Sequence, residues 1–306
     1  MPAPRIAIGP RPVGFASDAV TAGGGTVVGV DDHPEGLVWT DFADVDGLAD
    51  RLARLPDVRW VQLPMAGIER VVGSGLLDDG RIWTCAKGAY AEPVAEHALT
   101  LSLAGLRQLP TRVSARSWGT PAGISLYDRR VTILGGGGIA SALLDLLAPF
   151  RAVTTVVRRG PDPQPGADRT VTASALHEVL PGSLLVIVAL ALTPATRGIV
   201  GAAELALMDG DAWLVNVARG PHVDTGALVT ALDDHSIGGA ALDVTDPEPL
   251  PEGHALWGRP NCIITPHTAD TQEMVRPLLA ERIRTNVARF GAGQTLIGLV
   301  DPAAGY

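Results

Sequence analysis

Residues 131–147, VTILGGGGIASALLDLL, constrain this chain more than any other stretch, because they join an apolar strand to an apolar helix through four glycines. The segment fits G-x-G-x-x-A with Gly135, Gly137 and Ala140. In this pattern the glycines allow a tight turn and close approach of a pyrophosphate, and the helix start offers free N–H groups to the anion. The stretch predicts a dinucleotide site that includes Gly138 and Ile139, the alternative being merely a tight turn.

The next predicted strand ends in a pair of arginines, Arg158 and Arg159. An NAD site usually has an Asp or Glu at this point, which binds the ribose hydroxyls. A carboxylate would repel a 2′-phosphate, whereas guanidinium groups bind it through charge-assisted hydrogen bonds. We therefore expect NADP(H) as the preferred cofactor. NAD(H) is possible if one arginine is solvated and Asp162 folds back to the ribose.

Apolar runs of strand length alternate with amphipathic runs of helix length, in two blocks. This alternation is typical of parallel sheets joined by crossover helices. The predicted fold class is α/β, with two doubly wound parallel-sheet domains. The predicted strands are 5–10, 26–30, 59–64 and 82–86 in the first block, and 131–134, 153–157, 184–190, 212–217, 239–244 and 262–267 in the second.

Two longer helical runs set the predicted domain boundaries. Residues 92–109 connect the blocks, and residues 273–290 have the spacing of a helix that returns to the first block. Pro277 should fall in the first turn of the second helix or kink it. The predicted domains are a substrate domain of residues 1–93 plus 270–306 and a nucleotide-binding domain of residues 94–269.

Composition excludes several other classes of protein. At 306 residues the chain suits two domains, and its formal net charge of -9 argues against a nucleic-acid partner. Cys85 and Cys262 lie far apart and no cluster has metal-ligand spacing, so no metal site is expected. The start, MPAPRIAIGP, lacks a secretory pattern, and no apolar run could span a bilayer. We therefore expect a cytoplasmic protein without a membrane partner.

Three polar residues follow later strands of the second block, at the edge where parallel sheets bind ligands. They are Arg219 in NVARG, Glu248 in LDVTDPEPLP and His267 in NCIITPH. Singly, each has a structural alternative: a surface ion pair, a solvated turn residue or a buried strand-end histidine. As an ordered set behind a dinucleotide motif, they favour a catalytic group.

These motifs resemble those of the D-isomer-specific 2-hydroxyacid dehydrogenase family. The resemblance rests on G-x-G-x-x-A, LTPATRGIV (192–200), NVARG (216–220), ALDVTDPEPLP (241–251) and TPH (265–267), in that order. Arg219 precedes Glu248 by 29 positions (219 to 248), and Glu248 precedes His267 by 19 (248 to 267), as in the glyoxylate/hydroxypyruvate reductase branch. The resemblance implies a Rossmann cofactor domain inserted in a flavodoxin-like substrate domain.

The implied activity is an NADPH-preferring reduction of small 2-oxoacids to D-2-hydroxyacids. It requires a hydride at C2 and a proton on the developing alkoxide, and an imidazole suits the second task because it titrates near neutral pH. His267 would be the general acid, and Glu248 would hold its other ring nitrogen and favour the protonated ring. Arg219 would bind the substrate carboxylate and polarise the carbonyl group.

Further site residues follow from the resemblance alone. LPMAGIERV (63–71) resembles the family's substrate loop, although Glu69 stands where Asp or Asn is usual. The resemblance places the active site in an interdomain cleft. It implies substrate contacts from the backbone of Ala66, Gly67 and Ile68, and cofactor contacts from Thr193, Ala218 and Asp243.

Two other functions stay open at this point. The chain could be an NADH-dependent reductase of larger 2-oxoacids, whose pocket draws on Met65 and on Trp118 or Trp257. It could instead resemble the corepressors of this fold, which bind NAD(H) to control assembly. The family also implies a homodimer, with a contacting arm at about residues 100–127 that includes Trp118 and Leu126. We interpret Glu96, His97 and His254 as structural or rim residues.

Overall fold

The computed structural model describes residues 2–302, which form twelve strands and ten α-helices. The strands are β1 Arg5–Gly9, β2 Thr26–Val27, β3 Gly36–Trp39, β4 Trp60–Gln62, β5 Ile82–Thr84, β6 Arg130–Leu134, β7 Val153–Arg158, β8 Arg169–Thr172, β9 Leu185–Val188, β10 Trp213–Asn216, β11 Gly239–Leu242 and β12 Cys262–Ile264. The helices are α1 Gly14–Ala22, α2 Val45–Ala53, α3 Glu69–Gly73, α4 Ala91–Leu106, α5 Leu109–Ser114, α6 Gly138–Leu147, α7 Leu176–Val179, α8 Ala202–Ala206, α9 Thr225–Asp233 and α10 Gln272–Gly291.

The chain divides into two compact units, residues 1–90 with 271–306 and residues 91–270. Each unit contains one sheet, and every pair of neighbouring strands in the two sheets is parallel. The predicted α/β class with two parallel sheets is confirmed. Between residues 2 and 302 no helix is both long and apolar enough to cross a bilayer.

The first unit is built on a five-stranded sheet of order β2-β1-β3-β4-β5. Buried apolar side chains cover both of its faces, as a parallel sheet flanked by helices requires. Helix α10 packs against α1 so closely that a Cβ at Gly23 would lie 2.5 Å from the carbonyl oxygen of Arg284. Pro277 is the sixth residue of α10, and the helix continues through it.

The second unit is built on a seven-stranded sheet of order β12-β11-β10-β9-β6-β7-β8. The strand order therefore runs outward in both directions from β6 and β9, which makes their carboxyl ends a topological switch point. In open parallel sheets, ligands bind outside the carboxyl ends of the strands at such a point. The fold thus places the glycine turn that follows β6 at the expected binding edge.

The elements differ from the sequence-based prediction in three places. Strands β3 and β8 were not predicted, because β3 has four residues and begins at a glycine, while β8 reads RTVT and has no fully buried residue. The predicted helix 92–109 ends at Leu106. Gln108 then adopts φ 52°, and Pro110, which could not continue α4, lies in the first turn of α5.

Candidate active site

The glycine turn after β6 has the shape that a dinucleotide pyrophosphate needs. Gly135 has φ +121°, and a Cβ there would collide with the carbonyl oxygen of Ala189, which follows β9. Gly137 caps α6 in an extended conformation and has open space around its Cα. No side chain caps α6, so the N–H groups of its first turn, including those of Gly138 and Ile139, are directed toward this space. Both the turn and the helix start therefore fit a bound pyrophosphate.

Arg158 lies directly beside this turn, at the end of β7. Its Nη1 donates to the carbonyl oxygen of Asp162 and to Gln164 Oε1, each at 3.4 Å. Gln164 is buried, and its Nε2 donates to Ser141 Oγ on α6 at 3.0 Å. A Cβ at Gly136 would lie 3.0 Å from Arg158 Cδ, so the arginine stem packs on the glycine turn. One cation is thus held beside the glycine turn, at the edge of the predicted dinucleotide site.

Arg159 and Asp162 are the other two residues relevant to the 2′ position of the ribose. Both side chains are exposed at the surface of the second unit. The carbonyl group of Asp162, rather than its carboxylate, faces Arg158. This arrangement fits a site that receives an anion through arginine.

His267 and Glu248 form a close pair at the same edge of the sheet. His267 Nδ1 lies 2.6 Å from Glu248 Oε1, and both side chains are about two-fifths exposed. The backbone of His267 has φ 50°, a region that non-glycine residues seldom occupy, and its N–H donates to the carbonyl oxygen of Asp243 at 2.8 Å. The structure therefore brings together two of the three predicted catalytic residues.

Asp243, immediately after β11, holds the loop that carries His267. Its Oδ1 accepts hydrogen bonds from Thr265 Oγ1 at 2.6 Å and from the N–H of Thr268 at 2.9 Å. Its Oδ2 accepts from the N–H of Ala269 at 3.1 Å. These three hydrogen bonds hold the buried carboxylate in one orientation, and its contact with the nicotinamide amide stays a prediction.

Two carboxyl groups near this loop have shifted pKa values of opposite sign. Burial disfavours the charged form of Asp243, but the hydrogen bonds from His97, Thr265 and the two backbone N–H groups outweigh it and lower its pKa to about 2. Burial raises the pKa of Asp270, although the positive charges of His267 and Arg219 act against that rise. Asp270 therefore lies within electrostatic reach of both predicted catalytic cations.

Arg219 follows β10, and the neighbouring glycine fixes its backbone. A Cβ at Gly220 would collide with the carbonyl oxygen of Thr245, so only glycine fits against the loop after β11. Asn216 Nδ2 donates to the carbonyl oxygen of Arg219 at 2.9 Å, and Arg219 Nη1 donates to that of Ala218 at 2.7 Å. The positive charges of Arg219 and of His267 both act against the burial that raises the pKa of Asp270. Arg219 and His267 therefore act electrostatically on the same carboxyl group.

The remaining predicted cofactor residues also lie in the second unit. Thr193 and Thr196 form a tight turn after β9, in which Thr196 Oγ1 accepts from the N–H of Thr193 at 2.8 Å and donates to the carbonyl oxygen of Ala191 at 2.7 Å. Ala218 is buried, and its N–H donates to Asn216 Oδ1 at 3.0 Å. These contacts shape the backbone, and the ligand roles of Thr193 and Ala218 stay predictions.

The predicted substrate loop belongs to the first unit. Ala66, Gly67 and Ile68 connect β4 to α3, with Ala66 exposed and Ile68 buried. The carbonyl oxygen of Pro64 accepts from the Tyr90 hydroxyl at 2.5 Å, and that of Met65 accepts from the N–H of Ala86 at 2.8 Å. The loop is thus anchored on its amino-terminal side, and its role in binding substrate stays a prediction.

His97 is the residue whose surroundings the sequence did not indicate. From α4 it contacts Thr265 and Asp243, although it precedes Thr265 by 168 positions. His254, in contrast, accepts from the N–H of Leu256 within its own turn, in agreement with a structural role. Within residues 2–302 no three His, Cys, Asp or Glu side chains are grouped so as to hold a metal ion.

Residues 97–269 match the family model of the D-isomer specific 2-hydroxyacid dehydrogenase NAD binding domain. The match spans more than half of the chain and includes the glycine turn, Arg219, Glu248 and His267. The chain belongs to the D-2-hydroxyacid dehydrogenase family. The predicted resemblance is confirmed, and the chain is an oxidoreductase that uses a nicotinamide cofactor.

Comparison with similar proteins shows which branch of the family this chain resembles. A glyoxylate reductase of Aeropyrum pernix is 30% identical over 264 residues, which cover 82% of this chain and 79% of that protein. A D-isomer specific 2-hydroxyacid dehydrogenase from Xanthobacter autotrophicus Py2, solved with NADPH and MES, is 29% identical with a TM-score of 0.85 over 100% of both chains. An NADPH-dependent glyoxylate/hydroxypyruvate reductase from Sinorhizobium meliloti, solved with NADP and sulfate, is 25% identical with a TM-score of 0.81, over 99% of this chain and 100% of that chain. The chain therefore lies near the glyoxylate/hydroxypyruvate reductase branch.

Proposed function

We propose that this dehydrogenase reduces small 2-oxoacids of the glyoxylate and hydroxypyruvate class to D-2-hydroxyacids, with NADPH as the preferred reductant and His267 as the general acid. The 2.6 Å contact between His267 Nδ1 and Glu248 Oε1 carries the proposal. An ionised carboxylate only accepts hydrogen bonds, so Nδ1 carries a proton and Nε2 is the nitrogen that exchanges a proton with substrate.

The chain's own residues supply the binding and proton-transfer steps. Bound NADPH would supply the hydride for C2 of the substrate. Arg219 would bind the substrate carboxylate with its planar fork, a geometry that suits a carboxylate better than an ammonium group does. The Nε2–H of protonated His267 would then donate to the substrate oxygen as negative charge develops there. Glu248 would stabilise the protonated ring before the transfer.

The preference for NADPH rests on Arg158 and Arg159. Arg158 packs on the glycine turn, and no acidic side chain accepts its Nη1 in the two contacts described above. A 2′-phosphate could therefore gain a charge-assisted bond there without displacing an ion pair. The two solved relatives described above were determined with NADPH and with NADP.

The first experiment is to follow oxidation of NADPH and of NADH in parallel, with glyoxylate, hydroxypyruvate, pyruvate and phenylpyruvate. The expected result is faster turnover with NADPH and a small substrate. A preference for NADH with phenylpyruvate would favour a reductase of larger 2-oxoacids. Tight cofactor binding without turnover of any 2-oxoacid would overturn the proposed activity and favour a nucleotide-sensing protein.

The arginines are tested by replacing Arg158 and Arg159 together with Ala. The KM for NADPH should rise roughly tenfold or more for each lost charge-assisted bond, while the KM for NADH changes little. Arg151→Ala is the matched control, since Arg151 pairs with Asp128 on the surface of the same unit. Equal changes for both cofactors would show that the arginines do not bind the 2′-phosphate.

We also propose a homodimer, as the family resemblance implies. In the expected contacting arm Trp118 is 98% exposed, and no residue of α5 is buried. Leu126 was expected in this arm, but it is buried in the core of the second unit and is not available to a partner. Sedimentation at several concentrations tests the proposal. A monomer at the highest concentration would contradict it.

A further inference from the structure

His97 is a second histidine at the edge of the sheet that carries the candidate site. Its Nε2 lies 3.0 Å from Thr265 Oγ1 and 3.3 Å from Asp243 Oδ1. Thr265 follows β12 and Asp243 follows β11, so His97 links helix α4 to the ends of two strands. All three residues belong to the unit of residues 91–270. The proposed reaction assigns no task to His97.

Counting protons at this contact fixes the direction of the hydrogen bonds. Asp243 is an ionised acceptor, because its two carboxylate oxygens accept from Thr265 Oγ1 and from two backbone N–H groups. The Thr265 hydroxyl has one proton, which it donates to Asp243 Oδ1 at 2.6 Å. Thr265 Oγ1 must therefore accept from His97, and the proton of that bond is on His97 Nε2.

This series of hydrogen bonds continues to the backbone of the loop that carries His267, the proposed general acid. Asp243 holds the N–H of Thr268 and of Ala269 with its carboxylate, and its carbonyl oxygen accepts the N–H of His267. His267 stands at φ 50°, so its ring direction depends on how firmly these neighbouring contacts hold the loop. Each noncovalent contact in this series from His97 to His267 is a hydrogen bond, and all the residues involved belong to one unit.

We propose that His97 is a positioning residue, which acts through its Nε2–H on Thr265 and Asp243 to hold the loop of His267 and the acceptor Oδ2 of Asp243 in their working geometry. The kinetic consequence rests on the proposed reductase function, whereas the protonation of Nε2 does not. A histidine that only fills space between α4 and the sheet would need neither a particular ring proton nor the Thr265 hydroxyl.

The ring proton is measured by NMR of the chain labelled with ¹⁵N in histidine, near neutral pH and without cofactor. The His97 signals are assigned by their loss in His97→Gln. We expect Nε2 to be protonated, and Thr265→Val to shift these signals while Thr265→Ser largely preserves them. The signals of His177, which pairs with Glu204 on the surface at 2.6 Å, should not move and provide the control. The proposal would be overturned if Nε2 is unprotonated, or if the His97 signals do not shift in Thr265→Val.

Kinetics test the positioning role with matched variants. His97→Leu and Thr265→Val should each lower kcat on the order of tenfold, because each removes a partly buried hydrogen bond that holds the loop of His267. His97→Gln retains a side-chain N–H donor and should recover most of the loss, as should Thr265→Ser. Since both residues act through one chain of contacts, the double variant should lose little more than either single variant.

Several outcomes would contradict the positioning role. Losses that multiply in the double variant would show two independent effects, and equal kcat values for His97→Leu and His97→Gln would show a role in packing alone. His177→Leu serves as the surface control and should retain full activity. If the unaltered protein reduces no 2-oxoacid, only the proposed function is contradicted. The NMR measurement then still tests whether His97 Nε2 carries the proton that it donates to Thr265.

Discussion

Two carboxylate–histidine pairs stand near each other in the second unit and differ in exposure. Glu248 and His267 are about two-fifths exposed and meet at 2.6 Å, whereas Asp243 is buried and lies 3.3 Å from His97. We propose that the exposed pair exchanges protons with a substrate. In the less exposed pair, hydrogen-bond donors surround the carboxylate of Asp243 and keep it ionised. This buried pair, as we call it after its carboxylate, is therefore suited to holding the neighbouring loop in place. The comparison separates a pair proposed for proton transfer from a pair proposed for positioning, although each consists of a carboxylate and a histidine.

Removal of the exposed histidine should have the largest effect. His267→Ala should lower kcat by roughly 10²- to 10⁴-fold, the usual contribution of a general acid. The dissociation constant of NADPH should stay nearly unchanged, since the glycine turn and Arg158 are untouched. Stopped-flow turnover and fluorescence titration measure the two quantities. Unaltered turnover would refute the role of His267 as the acid.

Neutralising the exposed carboxylate should have a smaller effect on the same step. Glu248→Gln keeps an oxygen that can accept from Nδ1 but removes the charge that favours the protonated ring, so kcat should fall about 10- to 100-fold. Steady-state kinetics at a fixed pH measures this loss. An unaltered kcat would mean that Glu248 is a solvated loop residue.

The buried carboxylate of Asp243 should instead affect the stability of the protein at acid pH. The pKa of Asp243 is lowered from 3.8 to about 2, so its contribution is present above pH 3.8 and is lost as the pH falls through about 2. This shift corresponds to roughly 2 kcal/mol. Asp243→Asn should lower the urea midpoint at pH 7 and weaken its dependence on pH below 4. An unchanged acid dependence would show that Asp243 is not the buried anion described here.

Asp270, which follows both pairs in the sequence, should give the smallest effect on stability, and the effect should have the opposite sign. Burial raises its pKa, so its ionised form costs stability above its folded pKa, and the native state gains relative stability as the pH falls. Asp270→Asn should therefore raise the urea midpoint slightly at pH 7, and this gain should vanish below the ordinary pKa of 3.8. A gain that does not depend on pH would point to packing instead.

Much of the fold and the exposed pair could be predicted from local sequence. Long apolar runs such as those of β6 and β9 are buried on both faces, so their composition indicates a strand. Glu248 and His267 could be predicted because each lies in a motif that follows a strand. Strand β8 could not, since this edge strand pairs only with β7 and its residues are polar and partly exposed.

The buried pair could not be predicted, for a different physical reason. His97 lies on a helix among residues whose periodicity indicates only which face is apolar. Its contact with Thr265 depends on how α4 packs across β11 and β12, and the 168 intervening positions give no local signal of that packing. Local sequence thus predicted His267 and Glu248 as the proposed acid and its carboxylate partner, whereas the contacts of His97 depend on how distant elements pack.

The contact between His97 and Thr265 also joins the two ends of an inserted segment. His97 is in the second turn of the helix that begins at Ala91, and Thr265 lies just before the other boundary at Asp270. The first and last segments of residues 91–270 therefore lie close together. Closely spaced ends allow one domain to be inserted into the sequence of another. The first helix and the last loop of residues 91–270 are thus tied to each other by two side chains.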